Sequence, residues 1–237
     1  MDQASRIRTM QAIVLADGDV GARTALDAAW PGWLAEGAIV IAADGGARYA
    51  EALGLRLDRW VGDGDSIGAD GVDRLRAAGV PVDLVGAAKD ESDTELAIRT
   101  ALGLGADHLV ILGALGGPRL DHALANIGLL ALPALRDTPA CLLHPNARIS
   151  LVSAPGRDGA AAHRSLPGPI GAIVSLLPQG DGVVGVSTIG FEYPLRDEPL
   201  PAGPARGLSN LRVAADAAVI VRFGRLLVVE GPATLSP

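Results

Sequence analysis

The chain has 237 residues, 49% of them hydrophobic, and a formal charge of -7; that is enough apolar material for one large or two smaller cored domains, and it argues against disorder. Its arginines are scattered and the balance is acidic, which excludes a general affinity for nucleic acid. No segment approaches the ~18 uncharged apolar residues of a membrane span, and the opening MDQASRIRTMQAIVLADG lacks signal-peptide shape, so a cytoplasmic protein with no membrane partner is expected.

In chain order, the apolar runs AIVLA (12–16), AIVIAA (38–43), DRWVG (58–62), VDLVG (82–86), HLVILG (108–113) and ACLLH (140–144) read as buried parallel strands. Between them lie the helix-like segments GARYAEALG (46–54), ADGVDRLRAAG (69–79), SDTELAIRTALGLG (92–105) and LDHALANIGLLAL (120–132). Strand, helix, strand at this spacing predicts an α/β domain over residues 1–146, an open and mainly parallel sheet with helices on both faces. Over 147–237 the pattern changes to short runs broken by Gly and Pro, among them ARISLVSA, GVVGVSTIG, FEYPL and RLLVVE. These predict a second, all-β domain, an antiparallel sandwich or small barrel in which RFGR (222–225) makes a tight hairpin connection. Cys141 is the single cysteine and sits in an apolar run, which excludes an intramolecular disulfide and predicts a buried structural thiol.

Ligands of open α/β sheets gather at the carboxyl ends of the strands, and here those ends carry acids and glycines. Asp44-Gly45-Gly46 follows the second run, Asp63-Gly64-Asp65-Ser66 the third, Lys89-Asp90-Glu91-Ser92-Asp93 the fourth, and Gly116-Gly117-Pro118-Arg119-Leu120-Asp121-His122 the fifth. Each also has a plain structural reading. Asp44-Gly45-Gly46 can be a turn, and Ser92 with Glu95 has the spacing of a helix cap. GDGDSIG (62–68) begins like a calcium loop but has Ile67 and Arg74 where ligands are needed. Gly64 permits a bend that brings Asp63 and Asp65 onto one cation, and Mg2+ suits a site of one or two carboxylates plus phosphate oxygens. Lys89 is the only lysine among otherwise arginine cations, a compact ammonium fit for a phosphate oxygen. Arg119, ahead of a helix start, can hold a phosphate by charge and by helix N-terminal amides. Neither a G-x-x-x-x-G-K-[ST] loop nor a G-x-G-x-x-G turn after the first strand occurs, and the four histidines show no metal spacing.

Taken together, ADGGA (43–47), GDGDS (62–66), KDESDTE (89–95), GGPRLDH (116–122) followed by Asn126, STIGFEYPL (187–195) and LSN (208–210) resemble the thiamine pyrophosphokinase family, from about residue 12 to the C-terminus. The resemblance implies an α/β domain that binds ATP and Mg2+, a β-sandwich that completes the thiamine pocket, and a homodimer with active sites between subunits. It implies catalytic roles for Asp63, Asp65, Asp93, Lys89, Arg119 and Asp121, with Mg2+ on Asp63 and Asp65. It further implies ATP contacts from Asp44, Gly45, Asp90, Ser92, Gly117, Arg119 and Asn126, and thiamine contacts from Ser209, Asn210 and Asp93. Two departures stand out: Gly64 replaces a bulky residue, and Pro118 adds one residue between the glycine pair and Arg119. The expected reaction is attack of the thiamine hydroxyl on the β-phosphorus of ATP with loss of AMP. Two alternatives are the same chemistry on another alcohol, such as a hydroxymethylpterin, and a non-catalytic nucleotide or thiamine-phosphate sensor, which the intact acids disfavour.

Overall fold

The computed structural model describes residues 9–156 and 158–233; residues 1–8, read above for a targeting segment, lie outside them. Six strands, β1 (Gln11–Leu15), β2 (Ile39–Ala43), β3 (Arg59–Gly62), β4 (Val82–Leu84), β5 (His108–Leu112) and β6 (Ala140–His144), pair in parallel in the order β4-β3-β2-β1-β5-β6. Their side chains alternate between two cores. Ala12, Val14, Ile41, Leu109 and Ile111 face one apolar cluster, while Ile13, Leu15, Val40, Val110 and Leu112 face another. Both faces are covered, which is why these strands read as unbroken apolar runs.

Of the helices, α1 (Arg23–Ala29) and α2 (Gly68–Ala77) supply Leu26 and Val72 to one core, and α3 (Asp93–Gly103) supplies Ala97, Ile98 and Ala101 to the other. A fourth helix, α4 (Leu120–Leu129), packs its Ile127 beside the α3 side. The chain leaves β1 toward β4, then returns to β5 on the other side of β1, so a crevice opens at the carboxyl ends where the order reverses. The expected helix at 46–54 is instead a 3-10 turn, Asp44–Tyr49, followed by turns. Gly45 and Gly46 weaken α-helix propagation there, and Arg48 Nε donates to the Gly45 carbonyl at 2.9 Å.

At His144–Ala147 the chain reverses, and β7 (Ala147–Ala154) lies antiparallel on β6. The strands β8 (Ala162–Pro167), β9 (Ile173–Ile189), β10 (Glu198–Pro201), β11 (Asn210–Leu211) and β12 (Asp216–Glu230) continue the antiparallel half. One part of β12 (216–221) pairs with β8, another (224–230) with β7, and β9 runs along both. Two long bent strands thereby carry the sheet around a third apolar cluster that includes Val152, Val174, Val186, Phe191, Val219 and Val228. The hairpin expected at RFGR (222–225) is absent: the segment lies inside β12, where Gly224 (φ +106°) packs against Gly182 opposite the place where β9 bulges. A glycine at positive φ serves a bulge as well as a turn, and here pairing with β9 resumes on both sides of it.

A charged triad ties the antiparallel half together and touches the other half through Trp30. Glu230 at the end of β12 accepts from Arg148 Nε (2.7 Å) and Nη2 (2.9 Å) on β7, and from Arg212 Nη2 (2.7 Å). Arg148 stacks over the Trp30 ring at 5.1 Å, and Trp30 Nε1 donates to the His144 carbonyl at 2.8 Å. Cys141 on β6 is a free thiol, and burial pushes it up to about 11.

Candidate active site

The carboxyl ends of β2 and β3 and the start of α3 bring three carboxylates together. One oxygen from each of Asp44, Asp63 and Asp93 lies within 4.8 Å of the others. Asp44 follows β2 directly and takes a left-handed backbone (φ +39°) that non-glycine residues rarely adopt. That conformation is fixed from below by Trp60, fully buried on β3, whose Nε1 donates to the Asp44 carbonyl at 2.9 Å. It is fixed from the side by close backbone packing, since a Cβ on Gly46 would overlap the Leu15 carbonyl and one on Gly62 would lie 2.8 Å from Asp44 Cβ. The glycines of ADGG and GDGD are therefore needed to let β1, β2 and β3 end against one another.

Asp44 is only 5% exposed; its Oδ2 accepts from the Ser66 amide at 3.3 Å, while Oδ1 is buried with no hydrogen-bond partner. Burial pushes its carboxyl up, with the nearby Asp65 adding to that effect and Ser66 opposing it. Gly64 (φ +82°) makes the tight bend expected of it, closed by Asp63 Oδ1 accepting from the Asp65 amide at 3.1 Å. Asp65 is exposed, its Oδ1 accepts from Ser66 Oγ at 3.0 Å and its carboxyl also lies against those of Asp44 and Asp63, while Asp44, Asp63 and Asp93 form the three-carboxylate group. Hydrogen bonding to Ser66, ahead of Asp44, holds the Asp65 carboxyl below its usual range.

Lys89 Nζ sits 2.9 Å from Asp93 Oδ1, off hydrogen-bond alignment, and 3.6 Å from Asp63 Oδ2. Burial lowers its basicity, but the Asp93 and Asp63 charges outweigh that and hold the ammonium above its usual value. Ser92 caps α3, its Oγ accepting from the Glu95 amide at 3.2 Å, whereas Glu95 turns to Arg99 and does not close the box. Asp93 therefore stands in the first turn of α3, where the helix dipole favours its negative charge. Ser92→Ala is expected to cost about 1 kcal/mol of unfolding free energy; a shifted urea midpoint at unchanged slope is the check, and no shift would refute the cap.

The remaining expected residues are placed differently. Asp90 is exposed at the loop's outer edge. Arg119 and Asp121 form an exposed bidentate pair (2.9 and 2.6 Å) with each other, outside the three-carboxylate group. Gly116 and Gly117, both at positive φ, back onto Asp19 and Gly18. Asn126 Nδ2 donates to the Ala114 carbonyl at 3.0 Å and so braces that loop. Ser209 (φ +56°) is exposed with its amide on Ser175 Oγ. The Asn210 amide is committed to backbone, accepting from the Tyr193 and Leu211 amides and donating to the Tyr193 carbonyl at 2.8 Å, which makes it a positioning residue for the 191–195 turn.

Sequence reasoning missed Asp17, at the carboxyl end of β1. Its Oδ2 pairs with Arg48 Nη2 at 3.0 Å, and its charge reaches Asp65. The signal was present, since LADGD also places an acid directly after an apolar run.

Fold and site together define an α/β enzyme that gathers carboxylates, one ammonium and glycine-tight loops where a cation-bound phosphate ester would lodge. The description thiamin pyrophosphokinase, catalytic domain, matches residues 33–142, and thiamin pyrophosphokinase, vitamin B1 binding domain, matches residues 165–228. The chain belongs to the thiamin pyrophosphokinase family, whose activity is ATP-dependent pyrophosphoryl transfer to thiamine. Among solved structures it is similar to thiamine pyrophosphokinase from Bacillus subtilis (24% identity, TM-score 0.77, covering 94% of this chain and 99% of that one). It is similar also to the enzyme from Geobacillus thermodenitrificans (23%, TM-score 0.75, 96% and 100%) and to that from Candida albicans (16%, TM-score 0.70, 94% and 90%). These identities speak for the fold alone. No curated protein matches the sequence. Among the described residues no helix is long and apolar enough to cross a membrane.

Proposed function

We propose that Asp44, Asp63 and Asp93 hold Mg2+ and that thiamine diphosphate is formed beside them. The observation that carries this assignment is Asp44, buried with its Oδ1 unpartnered, having an oxygen within 4.8 Å of two further carboxylates, an arrangement that a bound cation would favour. Hard oxygen donors of this kind fit Mg2+, which when bound supplies charge neutralisation to the triphosphate. Lys89, held between Asp63 and Asp93, faces the migrating group with a compact positive charge. Asp93 orients the acceptor hydroxyl and takes up its hydrogen bond. The oxygen of that hydroxyl bonds to the β-phosphorus, the bond from the β-phosphorus to the oxygen it shares with the α-phosphate breaks, the hydroxyl proton passes to the Asp93 carboxylate and on to water, and AMP departs with the bridging oxygen. Positioning and charge do most of this work. Arg48, anchored by Asp17 and the Gly45 carbonyl, and Arg119 stand at the rim for outlying phosphates.

A homodimer goes with this reading. Leu120 and Leu124, one turn apart on α4 beside Arg119, are 72% and 61% exposed, apolar area that a second copy can cover. Sedimentation showing only monomer at micromolar concentration would overturn it. A cytoplasmic setting supplies ATP. The functional test is AMP release from ATP: strict dependence on thiamine and Mg2+ is expected, and release driven by a hydroxymethylpterin in its place would refute the acceptor.

A further inference from the structure

Away from the acidic crevice, a groove of about 760 Å³ lies between the segment after α4, the start of β6, the end of β7 and β8. Because β6 runs parallel to β1, β2 and β3, Pro139 and Ala140, at its start, lie at the end of the sheet opposite the carboxylates. The lining is basic on an apolar floor. Arg136, Arg164 and Arg225 reach it together with His163, while Leu135 and Val152 are buried beneath. Asp137 is the one carboxylate among the described lining residues.

These arginines are unusual within this chain. Apart from Arg74 and Arg196, every described arginine outside the groove pairs with a carboxylate within 4.0 Å; Arg136, Arg164 and Arg225 do not. Arg164 is half-buried and spends one donor on the Leu151 carbonyl at 3.2 Å. Burial opposes its charge more than the nearby Cys141 and Glu230 support it, and Arg148 adds to the burial effect. An acidic protein that pairs most of its guanidinium groups elsewhere and leaves three along one groove has an electrostatic demand there that solvent meets only in part.

We propose that this groove is a second, non-catalytic site for a small organic phosphate, its anionic end on Arg164 and Arg225 and its body on the aliphatic floor. Guanidinium groups bind phosphate bidentately and hold their charge at any physiological pH. A folded polyanion would overrun a groove of this size, whereas a nucleotide or a phosphorylated heterocycle fills it.

The test uses inorganic pyrophosphate with EDTA present, so that the acidic crevice repels the probe while the groove does not. Pyrophosphate is expected to raise the melting temperature of the whole chain saturably. In Arg136→Gln/Arg225→Gln, both exposed positions, binding weakens at least about tenfold, equivalent to about 1.4 kcal/mol. Arg164→Gln abolishes the shift, and Asp63→Asn leaves it intact. Thiamine-dependent turnover of the Arg136→Gln/Arg225→Gln protein stays unchanged. No shift in the natural sequence at millimolar pyrophosphate overturns the proposal, as does a shift that survives the groove substitutions or vanishes with Asp63→Asn. None of these outcomes depends on the activity assigned to the carboxylates.

Discussion

Asp44→Asn is expected to lower kcat/KM for thiamine-dependent AMP release by about 10²–10³-fold while leaving the metal-free protein as stable as before, or more so. The two effects have one cause. Asp44 is buried at 5% exposure with one oxygen unpartnered, and burial raises its carboxyl above the ordinary range. A carboxyl whose folded pKa exceeds its unfolded value contributes stability below the unfolded pKa and loses it as pH rises through the folded one. Above that raised value and without a cation, the Asp44 charge therefore weighs against the fold, and asparagine removes that burden at equal size. Mg2+ reverses the sign, because an ion that binds only the folded state raises its stability. The natural sequence should gain melting temperature on titration with Mg2+, and Asp44→Asn should gain little. Near-normal turnover at saturating Mg2+ would sink the assignment, and so would an equal Mg2+ shift in both proteins.

The parallel half was legible because full burial on two faces writes each strand as an unbroken apolar run, and the loops after such runs are where this architecture exposes polar groups. Asp44, Asp63, Lys89 and Asp93 could be picked out on that ground alone. Which carboxylates converge could not. Asp65 is two residues from Asp63, shares its glycine bend and bonds to Ser66, whereas Asp93 joins Asp44 and Asp63 from a different strand and helix. Asp121 sits close to Arg119 in sequence, and the two neutralise each other locally instead of reaching the group. Asp17 was overlooked although it follows β1 as the others follow their strands; its partner Arg48 is remote in sequence and becomes adjacent only when Gly45 and Gly46 let β2 end against β1. In the antiparallel half, Gly224 carries a positive φ inside a continuous strand, opposite the β9 bulge, as it would in a hairpin turn, so local sequence does not distinguish the two.

Glu230→Gln should destabilise the fold more than any surface charge change, by about 3–5 kcal/mol, or roughly 6–20 °C in melting temperature for a chain of this length. Glu230 and Arg212 are each 2% exposed, and Arg148 completes a triad whose single carboxylate serves two guanidinium groups. Neutralising Glu230 leaves both cations without a counter-charge, and Arg212 Nε already has no hydrogen-bond partner. On the Arg212 side little room is left for solvent, because Gly168 packs directly on its guanidinium and a Cβ there would overlap it. The damage reaches past β12: Arg148 lies over Trp30, which holds the His144 carbonyl just before the chain turns into the antiparallel half. By contrast, Arg222→Ala breaks a pair with Asp197 in which both side chains are more than half exposed, and should change stability by less than about 1 kcal/mol. Urea unfolding of the two variants side by side decides the matter. Equal and small shifts would mean that the triad does not hold the antiparallel half together.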